Sequence, residues 1–142
     1  MRHIGAVCVI PVLENGDVLV ERQYRYPVGQ VLTEIPAGKL DRRDEDRLLA
    51  AQRELREETG AEAGEWTSLG LFYPACAYSD EAIEMFLARG IRFGERHLDK
   101  DEFLNVTRMP LAALLEAVMA GEVPDAKTQI AVLKAARLLG LR

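Results

Sequence analysis

Three glutamates in one short segment are the first candidates for chemistry. Glu54, Glu57 and Glu58 lie within the run RELREETG, residues 53–60. A helix turns by about 100° per residue, so the three carboxylates fall on one helix face. Like charges at these spacings repel one another, and a hard divalent cation such as Mg²⁺, which takes oxygen ligands, would supply the missing counter-charge. The alternative is a solvated helix face in which Arg53 and Glu57 form an ordinary surface pair.

The helix that would position these carboxylates has recognisable ends. Asp44 and Glu45 open the segment, Thr59 closes it, and Gly60 follows as a C-cap. A separate apolar stripe would pack the helix onto the rest of the domain. It consists of Leu48, Ala51 and Leu55.

The remaining chain alternates between strand-like and helical patterns. The turn Asn15-Gly16 predicts a hairpin between two β-rich runs. Further predicted strands cover 31–35, 69–73, 82–88 and 105–107. Two C-terminal helices are predicted, one after Pro110 and one capped by Asp125. The order predicts a mixed α/β fold with helices covering a sheet, in a single domain over residues 1–142.

Composition excludes several classes of protein. The 142 residues are 49% apolar and 29% charged, values typical of a globular domain. A net charge of −5 argues against binding nucleic acid or an anionic membrane, because both surfaces would repel it. The sequence contains no apolar stretch of about 20 residues that would span a membrane. Cys8 and Cys76 show no CxxC spacing, which favours free buried thiols in a reducing cytoplasm.

The carboxylate helix and its flanks closely resemble the Nudix box, the pattern Gly-x5-Glu-x7-Arg-Glu-U-x-Glu-Glu-x-Gly-U with U aliphatic. The matching positions are Gly38, Glu45, Arg53, Glu54, Leu55, Glu57, Glu58 and Gly60. Two positions depart from the pattern: six residues separate Gly38 from Glu45, and Ala61 stands at the last aliphatic position. The first departure indicates either a one-residue expansion within 39–44 or a role for Asp44 in place of Glu45.

Segments outside the box resemble the ADP-ribose pyrophosphatase branch of this family. They are residues 22–25, 34–41, 73–74 with 79–81, and 125–128. The resemblance implies a Nudix-type α/β/α sandwich with a mixed β-sheet. It also implies hydrolysis of ADP-ribose to AMP and ribose 5-phosphate, with Mg²⁺ or Mn²⁺ as the cofactor.

The resemblance assigns roles to individual residues. The implied metal ligands are Glu54, Glu57, Glu58 and Ala37. Arg53 would orient the carboxylates by ion pairing, and Glu102, in a late loop, would position or deprotonate the attacking water. Asp99, Asp101 and Glu95 lie close to Glu102 in the sequence and are alternatives for that role. Glu54, Glu102 and Arg53 are therefore the expected catalytic residues.

Four residues are expected to bind substrate, namely Arg25, Glu34, Glu81 and Gly38. Arg25 offers a cation to a phosphate or a plane for stacking, and Glu34 offers a carboxylate to ribose hydroxyls or an adenine amino group. The alternative for each is a surface residue at a strand end, and for Glu81 an ordinary salt bridge. Phe72 is expected in the core rather than stacked on adenine.

The implied partner is a small nucleoside diphosphate sugar, with no nucleic acid or membrane partner, and the branch implies a homodimer. Other members commonly carry N-terminal strands that swap across that dimer, and this sequence starts almost at the strand that follows them. One alternative is hydrolysis of another nucleoside diphosphate sugar, such as GDP-mannose. A second is a non-catalytic module that senses ADP-ribose. Against the second, every carboxylate of the helix is present and no DNA-binding segment accompanies the domain.

Overall fold

A computed structural model describes residues 4–94 and 105–141. Its strands are β1 (Ala6–Pro11), β2 (Asp17–Arg25), β3 (Gln30–Glu34), β4 (Ala37–Lys39), β5 (Ala61–Phe72), β6 (Ile83–Phe93) and β7 (Val106–Pro110). Its helices are α1 (Arg47–Thr59), α2 (Leu111–Met119) and α3 (Ala126–Leu138), and a short 3₁₀ turn covers Tyr26–Val28. The expected order of strands and helices is confirmed with two differences, since β4 is not among the predicted strands and β5 begins at Ala61 rather than near residue 69.

The strands form two sheets. The larger has the order β4-β1-β6-β5, in which β1 runs parallel to β6 and antiparallel to β4, so it is a mixed sheet. The smaller sheet, β3-β2-β7, is antiparallel throughout. This arrangement confirms the predicted α/β class with a mixed sheet.

Strand β1 shows why the fold has helices on two sides. All six of its residues are buried, as expected of a strand covered on both faces. Cys8 and Ile10 face a core shared with α2 and α3, whereas Val7 and Val9 face a second core that contains Leu55 of α1. Alternation along one strand therefore places the carboxylate helix on one face of the sheet and the two C-terminal helices on the other.

The predicted hairpin at Asn15-Gly16 is wrong. The turn forms, with the Asp17 N–H donating to Asn15 Oδ1 at 3.0 Å, but it joins strands of different sheets. Only an isolated bridge between Val12 and Val18 links the two sides. The physical reason is competition for edges, because β1 already pairs with β4 and β6, and β2 pairs with β3 and β7.

Helix α1 begins slightly later than predicted. Asp46 is its N-cap and accepts a hydrogen bond from the Leu48 N–H, whereas Gly60 ends it in the left-handed conformation with φ 74°. Asp125 caps α3 as predicted. Pro110 is the N-cap of α2 rather than part of its first turn. None of the helices in the described part of the chain is long and apolar enough to cross a membrane.

Candidate active site

Arg53 is the centre of an ion-pair network at the start of the carboxylate cluster. Its Nη1 donates to Glu54 Oε1 at 2.9 Å, and its Nη2 donates to Glu45 Oε1 at 3.2 Å. The distance from Nη1 to Glu57 Oε2 is longer, at 3.6 Å. The guanidinium therefore holds carboxylates from the loop and from the helix together, a geometry that suits the orienting role expected of Arg53.

The position of Glu45 decides between the two interpretations of the expanded loop. Glu45 accepts a hydrogen bond from the Asp41 N–H at 2.7 Å as well as from Arg53. These two bonds hold the pKa of Glu45 below its usual value. Asp44 instead pairs with Arg42, and its side chain is 83% exposed. The extra residue is thus absorbed by the loop, and Glu45 keeps its place beside Arg53.

The side chain of Glu54, on α1, packs tightly against β4. Only 8% of the residue is exposed, and a Cβ added to Gly38 would overlap its carboxyl group. Burial and the nearby charge of Glu58 raise the pKa of Glu54, although Arg53 acts in the opposite direction. The glycine of the box is therefore needed here to give Glu54 room, which is a steric role that the substrate-binding expectation for Gly38 did not include.

Glu58 joins the helix to two neighbouring strands. Its Oε2 accepts a hydrogen bond from the Ala37 N–H at 3.2 Å. On its other side it forms a carboxyl–carboxylate hydrogen bond with Glu21 of β2, a residue that is only 6% exposed. Burial and this contact raise the pKa of Glu58 to about 9. The close approach of two buried acids disfavours the ionisation of both, and an added cation would relieve this.

Glu57 is the outermost of the three helix glutamates, with 58% of its side chain exposed. In the described parts of the chain, no group of three or more acidic, histidine or cysteine side chains is arranged to hold a metal ion as it stands. The carboxylates instead contact other groups of the protein. Glu54 contacts Arg53, and Glu58 contacts Glu21 and the backbone N–H of Ala37. The donor set nevertheless fits a hard divalent cation, because it is composed of oxygens whose burial and mutual repulsion favour an added positive charge.

Arg25 and Glu34, both predicted to bind substrate, are bonded to each other. Arg25 Nε and Nη2 donate to the two oxygens of Glu34 at 2.6 and 2.5 Å, and Lys127 Nζ donates to Glu34 Oε1 at 2.7 Å. Glu34 is 1% exposed. Burial opposes its ionisation, but the hydrogen bonds from Arg25 and Lys127 lower the pKa of Glu34 below its usual value. This buried carboxylate is therefore paired with two cations, Arg25 and Lys127.

A cavity of about 460 Å³ collects most of the residues expected to bind substrate. Its lining includes Arg25, Ala37, Gly38, Glu81 and Lys127, together with Phe72, Pro74 and Asp125. Ala37 and Gly38 line the cavity and also touch Glu58 and Glu54, so the carboxylates of α1 border this space through β4. A larger cavity of about 730 Å³ lies between the Asn15-Gly16 turn and residues 138–141, and it contains none of the expected site residues.

Some of the site could not be located from sequence patterns, and one prediction falls outside the described residues. Glu102, the expected water-activating residue, lies in the segment 95–104. The sequence assigns no role to Glu21 and names Lys127 only as part of the segment 125–128; a lone acid inside an apolar strand such as VLVE is the one available signal for Glu21. Phe72 packs partly against the core, as expected, but also faces the cavity.

Comparisons with known proteins agree with this geometry. The model of the NUDIX domain family matches residues 1–130. The chain is 40% identical over 134 residues to an ADP-ribose pyrophosphatase of Bacillus subtilis, covering 93% of this chain and 72% of that protein. It is 37% identical to an ADP-ribose pyrophosphatase of Mycobacterium tuberculosis, covering 87% of this chain and 60% of the other.

More distant similarities extend this set. The chain is 29% identical to a GDP-mannose pyrophosphatase of Shigella flexneri, covering 89% of this chain and 70% of that protein. A crystal structure of an ADP compounds hydrolase superposes with a TM-score of 0.81 at 24% identity, covering 96% of this chain and 72% of that one, and so shares the fold. Family model, curated relatives and the box around Arg53 and Glu54 lead to one conclusion: the chain belongs to the Nudix family.

Proposed function

We propose that this protein hydrolyses the diphosphate of ADP-ribose, or of a related ADP-sugar, to AMP and ribose 5-phosphate. The observation that carries the proposal is the buried carboxylate cluster of α1, held by Arg53 and bordering a cavity of about 460 Å³. Relatives at 40% and 37% identity that are named ADP-ribose pyrophosphatase support this substrate over others.

The proposed cofactor is Mg²⁺, with Mn²⁺ as the alternative. Glu54, Glu57 and Glu58 supply carboxylate oxygens for it. Ala37 supplies its backbone carbonyl. The Ala37 N–H donates to Glu58 and so points away from β1. Because the N–H and C=O of one strand residue point to the same side, the Ala37 carbonyl also points away from β1. A divalent cation bound there neutralises diphosphate oxygens and lowers the cost of charge in the transition state. Mg²⁺ typically binds through a few carboxylates together with substrate phosphates, which matches this donor set.

The protein residues have separate tasks in this proposal. Arg53 keeps Glu54 in a fixed orientation, since two guanidinium nitrogens are anchored on Glu54 and Glu45. Glu102 remains the proposed residue that positions or deprotonates the attacking water. Arg25 and Glu81 face the cavity and would contact the nucleotide, whereas Glu34 would act through Arg25.

The test is a chromatographic assay of the nucleoside monophosphate formed from a panel of ADP-ribose, ADP-glucose, GDP-mannose and nucleoside triphosphates, with Mg²⁺ or with EDTA. We expect selective, EDTA-sensitive hydrolysis of ADP-ribose. Glu54→Gln should lose at least about 100-fold in kcat with the fold intact, and Glu116→Gln, the same chemical change on the exposed face of α2, should match the wild type. Equal rates for Glu54→Gln and wild type would refute the assignment.

A second candidate substrate is GDP-mannose, favoured by the Shigella flexneri relative at 29% identity. Hydrolysis of this compound in preference to ADP-ribose would keep the carboxylate chemistry and change the base that is recognised. A non-catalytic sensor is the third possibility. It predicts tight ADP-ribose binding by calorimetry with no turnover of any compound on the panel.

The proposed assembly is a homodimer in the cytoplasm. The β2–β3 hairpin exposes apolar side chains that a second copy would cover, namely Tyr24, Tyr26, Val28 and Val31. Cys8 and Cys76 are both free thiols, which suits a reducing compartment; Cys8 is buried as predicted, whereas Cys76 is exposed, so its predicted burial is wrong. Sedimentation equilibrium at micromolar concentration tests the dimer, and a mass near that of one 15.8 kDa chain would refute it.

A further inference from the structure

Lys127 is a basic side chain in the first turn of α3 that lines the cavity beside Arg25. We propose that Lys127 and Arg25 form an anion-binding wall oriented by the buried Glu34, and that Lys127 positions the phosphate-bearing part of the substrate. This inference rests on the proposed function, because it assigns a further residue to the same site.

The donors available on both cations support this role. Lysine has three N–H groups, and Lys127 donates to Glu34 Oε1 at 2.7 Å and to the two oxygens of Asp125 at 3.1 and 3.2 Å. Arginine has five N–H groups, and Glu34 accepts from two of its nitrogens in Arg25. Arg25 thus keeps donor capacity after Glu34 has been satisfied, and Lys127 can turn an N–H to an anion by giving up one of its two long contacts with Asp125. That capacity is adjacent to the cavity, because both side chains line it.

Lys127 is held in place more firmly than a surface lysine. Its side chain is 13% exposed, and its partner Asp125 is the N-cap of α3. Thr128 Oγ1 donates to Asp125 Oδ2 at 2.6 Å and accepts from the Ile35 N–H at 3.1 Å, which ties the start of α3 to the end of β3. Since the ammonium is already ordered, little side-chain entropy is lost when an anion binds.

The surrounding charges explain why a cation is needed at this point. Glu21, Glu34, Glu54 and Glu58 are buried acids at or next to the site, and those that are ionised would repel a diphosphate. Lys127 lies close enough to both Glu21 and Glu58 to act on them electrostatically. It therefore acts on the carboxylate cluster and also lines the cavity with Arg25, from which an anionic substrate would reach towards α1.

The competing explanation is purely structural. In that case Lys127 exists only to neutralise the buried Glu34, and its loss would reduce stability without weakening anion binding. Binding of inorganic pyrophosphate in EDTA separates the two explanations, because it measures anion affinity without metal or turnover. Steady-state kinetics give a second way to separate the two explanations. Loss of a group that binds substrate and transition state equally changes KM and leaves kcat unchanged.

The experiment compares four variants with the wild type. Lys127→Met removes the charge, Lys127→Gln removes the charge but can still donate to Glu34, and Lys127→Arg keeps the charge. Arg137→Met is the control, because it removes an exposed positive charge from the last turn of the same helix, away from the cavity. Calorimetry with pyrophosphate in EDTA is run beside steady-state kinetics with ADP-ribose and Mg²⁺.

We expect Lys127→Met and Lys127→Gln to weaken pyrophosphate binding by roughly 10- to 100-fold and to raise KM by a similar factor, with kcat within about threefold. Lys127→Arg should stay within a few-fold of wild type, and Arg137→Met should be unchanged. Wild-type affinity for pyrophosphate in the folded Lys127→Gln protein would overturn the inference, as would absence of pyrophosphate binding by the wild type.

The same data distinguish failure of the inference from failure of the proposed function. A wild type that binds pyrophosphate through Lys127 but leaves ADP-ribose intact would refute the activity and keep the anion-binding wall. A wild type that hydrolyses ADP-ribose, with both neutral variants at Lys127 unchanged in KM, would keep the activity and refute the wall.

Discussion

Replacing Gly38 with alanine should disable the site through one added methyl group. Gly38 is not among the glycines with positive φ, so an alanine suits the backbone and the effect is steric alone. The new Cβ would overlap the carboxyl group of Glu54, whose side chain cannot withdraw into solvent because the residue is 8% exposed. Restoring a normal separation of about 3.5 Å displaces that carboxylate by about 1 Å or more.

The expected loss follows from this displacement. A misplacement of about 1 Å of a group in the reacting geometry costs on the order of 100-fold in rate, and overpacking a buried contact costs about 1–3 kcal/mol of stability. The assay is kcat/KM for ADP-ribose with Mg²⁺, measured beside the free energy of unfolding in urea. Gly94→Ala is the matched control, since no atom of residues 4–94 or 105–141 lies within 4 Å of a Cβ at Gly94 and its φ is not positive.

A double variant separates the two losses. Glu54→Asp shortens the side chain by one methylene and should recover stability in the Gly38→Ala background, but not activity, because the carboxylate is withdrawn from its position. Gly38→Ala with kcat/KM within threefold of wild type would refute the reasoning. It would mean that the close fit between β4 and α1 is not what orients Glu54.

Three further predictions concern other parts of the molecule. Because its pKa is raised, Glu58 carries a proton in the folded, metal-free protein, and its contribution to stability falls as pH rises above the pKa of Glu58 in the unfolded chain. Binding of Mg²⁺ at pH 7 should therefore release about one proton. Calorimetric binding enthalpies that do not vary with the buffer would contradict this. Burial raises the pKa of Cys8 to about 12, so a thiol reagent at pH 8 should label only the exposed Cys76 until urea is added, and two labels in the native protein would contradict the buried position. Asp125→Ala removes the cap of α3 and should lower the free energy of unfolding by about 1–2 kcal/mol in urea titrations, whereas no change would show that the cap does not stabilise the fold.

Much of the site was predictable because its information is local. Helical spacing brings Glu54, Glu57 and Glu58 to one face, and a capping glycine marks the end of α1 whatever the rest of the chain does. The ion pair between Arg53 and Glu54 belongs to the same segment. The family pattern adds Gly38, but it does not say that the reason is the space required by Glu54.

The strand pairing was less predictable because strands compete for partners. Asn15-Gly16 is a strong local signal for a hairpin, and the turn does form. The neighbours of β1 are chosen by burial on both of its faces, which favours β4 and β6 over the strand that follows it in the chain. The residues of a local turn do not determine which strands pair with β1, because that pairing depends on how residues far away in the sequence pack.

The sequence by itself determined the carboxylate helix, its C-capping glycine, the free cysteines and membership of a family with a recognisable box. Tertiary structure alone decided that Glu21 meets Glu58 and that Glu34 is neutralised by Lys127, a residue 93 positions away. The physical reason is that helical periodicity arises from neighbours within one turn. The pairing of buried charges, in contrast, depends on how sheets and helices pack, and burial then makes each such pairing obligatory.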